Sequence, residues 1–259
     1  MEGLRDVKAG SGIAEVNRAV IVSVSKFGYG VDMNRRPGTK ADTKRLHRIL
    51  SKLGFQVTIA EEDLSADEIY QVFREASQAP VRDCFLAVLS SHGKDGFVFG
   101  ADGKPVRLAR VFSYFDSPCM TNKTKLFFVQ ACRGGELDEG VQVDSAVSDD
   151  TEEDAFSQSL SVPVDTAVIY ATPPGYAAFT GPGGAVFLRT LCHLLEEEGG
   201  RELEITRLLT RLCHRVAYTF QARGPVLGGK KEMPCFLTRL TREVFPFAQN
   251  SDVSTDSTR

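Results

Sequence analysis

Two residues of this chain stand where they could do nucleophilic chemistry together. Cys132 follows the apolar run Lys125 to Val129, which stops at Gln130. His92, 40 residues upstream, follows a second apolar run, Cys84 to Leu89. Short, nearly continuous apolar runs suit strands covered on both faces. In open α/β sheets, ligands sit outside the carboxyl ends of the strands. A thiol just past such an end is aimed at a substrate, whereas one inside the run would be aimed at the core. A thiolate there attacks a carbonyl carbon, and a neighbouring imidazole protonates the leaving amine. A buried core cysteine beside an unrelated loop histidine is the plain alternative.

Around these two lie residues of supporting type. Gly93 lets backbone come close to a substrate, and its N–H is suited to a developing oxyanion. Arg35 and Arg36 lie in the loop Gly28 to Gly38, and a planar guanidinium suits a carboxylate through two parallel hydrogen bonds. Gln130-Ala131-Cys132-Arg133-Gly134, with Ser91-His92-Gly93 upstream, resembles the local signature of caspases. The resemblance spans about residues 18 to 247, and the stretch from Cys132 to Asp144 is most similar to the executioner type.

That resemblance implies a caspase-like three-layer α/β/α sandwich with a mostly parallel six-stranded sheet. It implies a cysteine endopeptidase that cleaves proteins after aspartate in apoptotic proteolysis, made as a zymogen and working as a dimer. His92 and Cys132 would be catalytic, and the N–H groups of Gly93 and Cys132 would form the oxyanion site. Arg36, in Arg36-Pro37-Gly38-Thr39, and Gln130 match the residues that hold the substrate aspartate; Arg35 could be shifted into that role. The family has a second pocket arginine after a tryptophan, shortly after a Pro-Gly-Tyr. Here Pro174-Gly175-Tyr176 is followed by Ala177, Ala178, Phe179 and Thr180, so Phe179 keeps an aromatic wall and Thr180 replaces the arginine. No Lys or Arg occurs between Arg133 and Arg189 to replace it by a simple slip. The alternative reading is therefore a pseudoenzyme or regulatory partner that keeps the fold but cuts poorly or with altered specificity.

The elements that must position these residues follow from pattern. Strands are expected at Ala19 to Val24, Phe55 to Ala60, Cys84 to Leu89, Lys125 to Val129, Val164 to Ala171 and Pro234 to Leu240. A hairpin is expected at Phe97 to Val106, turning at Ala101-Asp102-Gly103. Helices are expected at Thr39 to Leu53 with Gly54 past its end, and from the capping box at Ser65 and Glu68 to about Gln78. Further helices are expected at Leu108 to Phe115, Ala185 to Glu198 and Glu204 to Ala222. The last carries Ile205, Leu208, Leu209, Leu212 and Val216 on one face. Alternation of strand and helix argues for an α/β architecture with helices on both faces. Residues 1–17 read as a disordered arm and 249–259 as a polar tail. Residues 18–144 would form a large catalytic part and 164–248 a small one, joined by an acidic linker at 134–163. Asp144, before Ser145, is the expected processing site in that linker, with Asp150 and Asp154 as weaker candidates, for an upstream protease or the protein itself. The last strand, Pro234 to Leu240, is apolar and suits a homodimer edge.

Composition narrows the rest. The chain has 259 residues, 42% hydrophobic, a net charge of −3 and six cysteines without a C-x-x-C pair. This argues against nucleic acid or an anionic membrane as partner and against a disulfide framework. With no run of transmembrane length and no secretory leader in residues 1–17, the expectation is a cytoplasmic protein, nuclear entry allowed. Cys192-His193 and Cys213-His214 resemble zinc ligands, but neighbours on a helix point about 100° apart. Gly181-Pro182-Gly183-Gly184 lacks the Gly-Lys-Ser/Thr ending of a phosphate loop. Neither a metal nor a cofactor is expected.

Overall fold

The computed structural model describes residues 16–137, 162–197 and 199–248. Most of the expected arm, the acidic linker from 138 to 161 with Asp144, Asp150 and Asp154, and the tail from 249 lie outside these residues.

A six-stranded sheet forms the centre. Its strands are β1 (Arg18–Ser23), β2 (Gln56–Ile59), β3 (Cys84–Ser90), β7 (Thr124–Gln130), β8 (Thr166–Tyr170) and β11 (Cys235–Thr238). They lie in the order β11-β8-β7-β3-β1-β2. All neighbours run parallel except β11, which is antiparallel to β8. β3 and β7 are buried at every position, which is why they read as unbroken apolar runs.

Successive side chains alternate between two cores. Leu126 and Phe128 join one with Leu46 and Ile49 of α1 (Thr39–Lys52), Phe187 and Leu191 of α4 (Val186–Glu196), and Leu208 and Leu212 of α5 (Ile205–Thr219). Phe127 and Val129 join the other with Ile69 and Phe73 of α2 (Ala66–Ala76) and Val111 and Phe112 of α3 (Leu108–Ser113). The result is three layers, α1, α4 and α5 on one face and α2 and α3 on the other, as the alternating pattern predicts.

Local chemistry sets the element ends. Ser65 and Glu68 form the expected reciprocal capping box at the start of α2. Gly54 takes φ +84 just past α1, a conformation glycine adopts at little cost. α3 ends at Ser113 rather than Phe115, because Phe115 N–H turns back to the carbonyl of Phe112 and tightens the turn. β8 begins at Thr166 rather than Val164, since Asp165 sits at φ 57 and cannot continue a strand. Three short strands escape the pattern reading: β4 (Gly93–Lys94), which completes a small sheet with β5 (Phe97–Phe99) and β6 (Pro105–Arg107), and the pair β9 (Thr180–Gly181) and β10 (Gly184–Ala185).

Candidate active site

Strand register brings the two reactive residues to one edge. Ser90 of β3 lies opposite Gln130 of β7, and Ser91 N–H donates to the Gln130 carbonyl at 3.2 Å. His92 and Cys132 each follow two residues later, leaving the sheet at the same level. The strand order reverses at β1: β2 lies on one side of it, and β3 and then β7 lie on the other. The crevice at such a switch point is the usual place for a ligand in an open α/β sheet.

Arg36 fills that crevice. Of the two loop arginines it is the buried one, 4% exposed, while Arg35 is exposed. Its Nη1 donates to the carbonyl of Val24 at 2.7 Å and its Nη2 to Ser90 Oγ at 2.9 Å. These bonds spend part of a five-donor head and fix its direction. No carboxylate is ion-paired with it among the described residues, and burial pulls its pKa down to about 10, with Cys132 and Asp42 acting the other way. Beside it Gln130 is buried, and its Oε1 has no hydrogen-bond partner among the described residues. A half-turn of that amide would place two N–H donors there instead. A buried cation beside an unspent amide is complementary to one incoming carboxylate.

His92 is set by a group that sequence reasoning missed. Its Nε2 lies 2.7 Å from the backbone carbonyl of Asn34. A carbonyl only accepts, so Nε2 carries the proton and Nδ1 is the basic position. Burial lowers the imidazole pKa; the Asn34 bond opposes this and Arg36 adds to it. The ring therefore rests neutral, able to take a thiol proton at Nδ1 and return it to a leaving amine. Phe27 packs on it at 5.1 Å between ring centres and limits its rotation.

The turn after β7 explains the rest of the nonapeptide. Arg133, 7% exposed, pairs with Asp95 at 2.6 Å and stacks over Tyr170 at 4.1 Å. It anchors the residue after the thiol rather than facing a substrate. Gly134 has no room for a side chain: a Cβ there would lie 2.0 Å from the Gly175 carbonyl oxygen. The segment Gly175 to Ala177 thus closes onto the turn, with Arg133 N–H donating to Tyr176 and Ala177 N–H to Glu136. This closure brings Ala178 N–H to within 3.4 Å of Cys132 Sγ.

Gly93, expected as an oxyanion donor, has a packing reason of its own. A Cβ there would meet Phe97 O at 2.7 Å and Ala131 Cβ at 2.8 Å. Phe179 packs on Phe220 at 5.1 Å between ring centres. Thr180 is exposed, and its hydroxyl donates to the Pro37 carbonyl at 3.4 Å. The short pair β9–β10 thereby rests on the Arg36 loop. Sequence reasoning also missed two buried carboxyls behind this hairpin. Glu232 accepts from Phe179 N–H at 2.5 Å and Asp42 from Ala185 N–H at 2.7 Å. Acids inside otherwise ordinary polar stretches gave no periodic signal of burial.

The Cys-His pairs separate as helix geometry requires: Cys192 and Cys213 are buried, His193 and His214 exposed. No group of three or more metal-ligating side chains occurs among the described residues. No helix among them is long and apolar enough to cross a membrane.

A thiol and a neutral imidazole at adjacent strand ends, beside a pocket built for an anion, define a cysteine endopeptidase on a parallel α/β sheet. The Caspase domain family profile matches residues 16–245. The chain is 35% identical to Caspase-7 of Gallus gallus over 241 residues, covering 89% of this chain and 77% of the relative. It is 34% identical to Caspase-3 of Mesocricetus auratus, covering 89% and 84%. The crystal structure of Caspase-1 from Spodoptera frugiperda superposes with a TM-score of 0.78 at 27% identity, covering 92% of each chain. The chain belongs to the caspase family.

Proposed function

We propose that this peptidase cleaves proteins after aspartate, with Cys132 as nucleophile, His92 as acid and base, and Arg36 and Gln130 holding the substrate carboxylate. The observation that carries this reading is Arg36. It is buried, held by Val24 and Ser90, and close enough to Cys132 for their charges to interact. A carboxylate seated there would put the following peptide carbonyl at the sulfur. The N–H groups of Cys132 and Gly93 are the oxyanion donors in this scheme. Selective labelling of Cys132 by an aspartyl electrophile, much faster than by iodoacetamide, is the expected result. Equal, slow labelling by both would defeat it.

Thr180 supports a second reading, in which the fold persists with weakened or altered specificity. Its side chain is neutral, exposed and bonded to a backbone carbonyl where a second pocket cation is expected.

The family likeness supports a role in apoptotic proteolysis in the cytoplasm, and activation from a zymogen by cleavage after Asp144 into a larger fragment with His92 and Cys132 and a smaller one starting near Ser145 that carries the region 164–248. Intact mass of the matured protein tests the cleavage; full activity of an uncut chain would count against it. A homodimer through β11 completes the reading. β11 is the edge of the sheet, so its outer backbone groups are open to a second strand, and a two-fold axis would pair it with its own copy. Leu237→Lys is expected to give a monomer of lower activity by sedimentation. A wild type that is itself monomeric at micromolar concentration would overturn this.

A further inference from the structure

The hairpin that forms the pocket wall is fastened by side chains rather than by the main sheet. β9 and β10 pair only with each other. At one end Phe179 N–H donates to Glu232, which is 1% exposed; at the other Ala185 N–H donates to Asp42, which is 5% exposed. The second oxygens, Asp42 Oδ1 and Glu232 Oε1, are buried without a hydrogen bond of good geometry among the described residues, although the Phe187 N–H also acts on the Glu232 carboxyl. The backbone around Asp42 is packed to contact. A Cβ on Gly184 would lie 2.0 Å from Asp42 Oδ1, and one on Gly38 would lie 2.2 Å from the Gly181 carbonyl oxygen. Arg189, on α4, lies under the hairpin tip, its Nη1 3.4 Å from where a Cβ on Gly183 would sit, and its charge acts on both acids.

We propose that Glu232 and Asp42 are positioning residues for the specificity wall, holding the two ends of the Phe179–Ala185 hairpin, with Arg189 compensating both. Buried acids with an unspent oxygen are poor choices for stability alone, since each leaves a polar atom unsatisfied. Their use at both ends of one hairpin fits a demand for fixed direction, with Thr180 held over Pro37 beside Arg36. This inference rests on reading the strand-end cluster as the peptidase site.

The two carboxyls differ in charge. Burial raises Glu232 to about 8, opposed by the Phe179 bond, by Arg189 and by the Phe187 N–H. Burial raises Asp42 to about 6, opposed by the Ala185 bond, Arg45, Arg189 and Arg36. Lys231, the chain neighbour of Glu232, is turned to the Phe220 carbonyl at 3.1 Å. At neutral pH Glu232 is therefore mostly a neutral acid, accepting through its carbonyl oxygen. Above pH 8 it ionises behind the wall, adding negative charge where an acidic substrate side chain must be admitted.

Two measurements on the full chain test this: amide exchange at Phe179 and Ala185, and steady-state cleavage of a fluorogenic peptide ending in aspartate. Glu232→Ala should speed exchange at Phe179 by at least about tenfold and raise KM more than it lowers kcat. Asp42→Ala should do the same at Ala185. Glu232→Gln keeps an acceptor oxygen and should restore protection and KM at pH 7. The wild-type KM should climb above pH 8, while that of the Gln variant stays flat. Unchanged exchange at Phe179 in the Ala variant, or an identical rise of KM with pH in the Gln variant, would overturn the proposal. If the Ala variant does not fold, the Gln comparison decides alone. A wild type that leaves aspartyl peptides uncut, yet needs Glu232 to protect Phe179, would support the anchor and overturn the site reading instead.

Discussion

The two sides of the pocket are built by different means. The chemical side, His92 and Cys132, hangs from the ends of β3 and β7, whose seven paired positions set their relative height. The proposed specificity side, Phe179 and Thr180, sits on a two-residue ladder tied down by Glu232 and Asp42. Strand register is set by many backbone bonds and by the burial of two faces, so a one-residue slip would invert both cores. A hairpin held by two side chains has no such redundancy. On the proposed assignment, the reaction is secured by topology, whereas selectivity rests on a few side-chain hydrogen bonds and is correspondingly open to change by one substitution.

The largest effect should fall on the chemical side. Cys132→Ala should reduce turnover by at least about a thousandfold, as loss of a nucleophile does elsewhere. Because β7 is fully buried and paired without help from the thiol, thermal unfolding should move little. A large loss of stability would show instead that Cys132 is a core residue, and would break the contrast between the two sides.

Next comes Thr180→Arg. If the substrate carboxylate has Arg36 as its only charged partner, a hydrogen-bonded partner is missing, which typically costs about 2–5 kcal/mol. Thr180 still offers a hydroxyl and is exposed beside Pro37, so the lower part of that range applies. The Arg variant should raise kcat/KM for an aspartyl peptide at least about tenfold, at about 1.4 kcal/mol per decade. It should also sharpen discrimination against matched glutamate and asparagine peptides. No gain, with a wild type already strongly aspartate-selective, would mean that another group completes the pocket.

The smallest effect concerns stability against pH. Glu232 has its folded pKa raised by burial from 4.5 to about 8. A group raised on folding contributes stability below its unfolded value and loses it as pH rises through the folded one. Wild-type stability should therefore decline between pH 4.5 and 8, by up to about 1.4 kcal/mol per pH unit from this group. Glu232→Gln removes that decline, so the difference in Tm between the variant and wild type should widen across the window. Parallel Tm curves would place the carboxyl in an environment much closer to water.

What the sequence by itself determined is the part carried by local pattern. Apolar runs of strand length, the capping box at Ser65 and Glu68 and the helical face from Ile205 to Val216 state the layers. The resemblance of Gln130 to Gly134 and of Ser91 to Gly93 to the caspase signature points to His92 and Cys132, which stand just past two of those runs. The resemblance points to Arg36 rather than its identical neighbour Arg35, and the tertiary structure buries Arg36 against Val24 and Ser90 while leaving Arg35 exposed. Tertiary structure alone decided the tautomer of His92, set by the Asn34 carbonyl, and the burial of Asp42 and Glu232. These are contacts across 58 residues for His92 and Asn34, 143 for Asp42 and Ala185, and 53 for Glu232 and Phe179. Periodicity reports the face a residue lies on within its own element. It carries no information about which distant backbone group will meet that residue, because that is fixed only when the layers close.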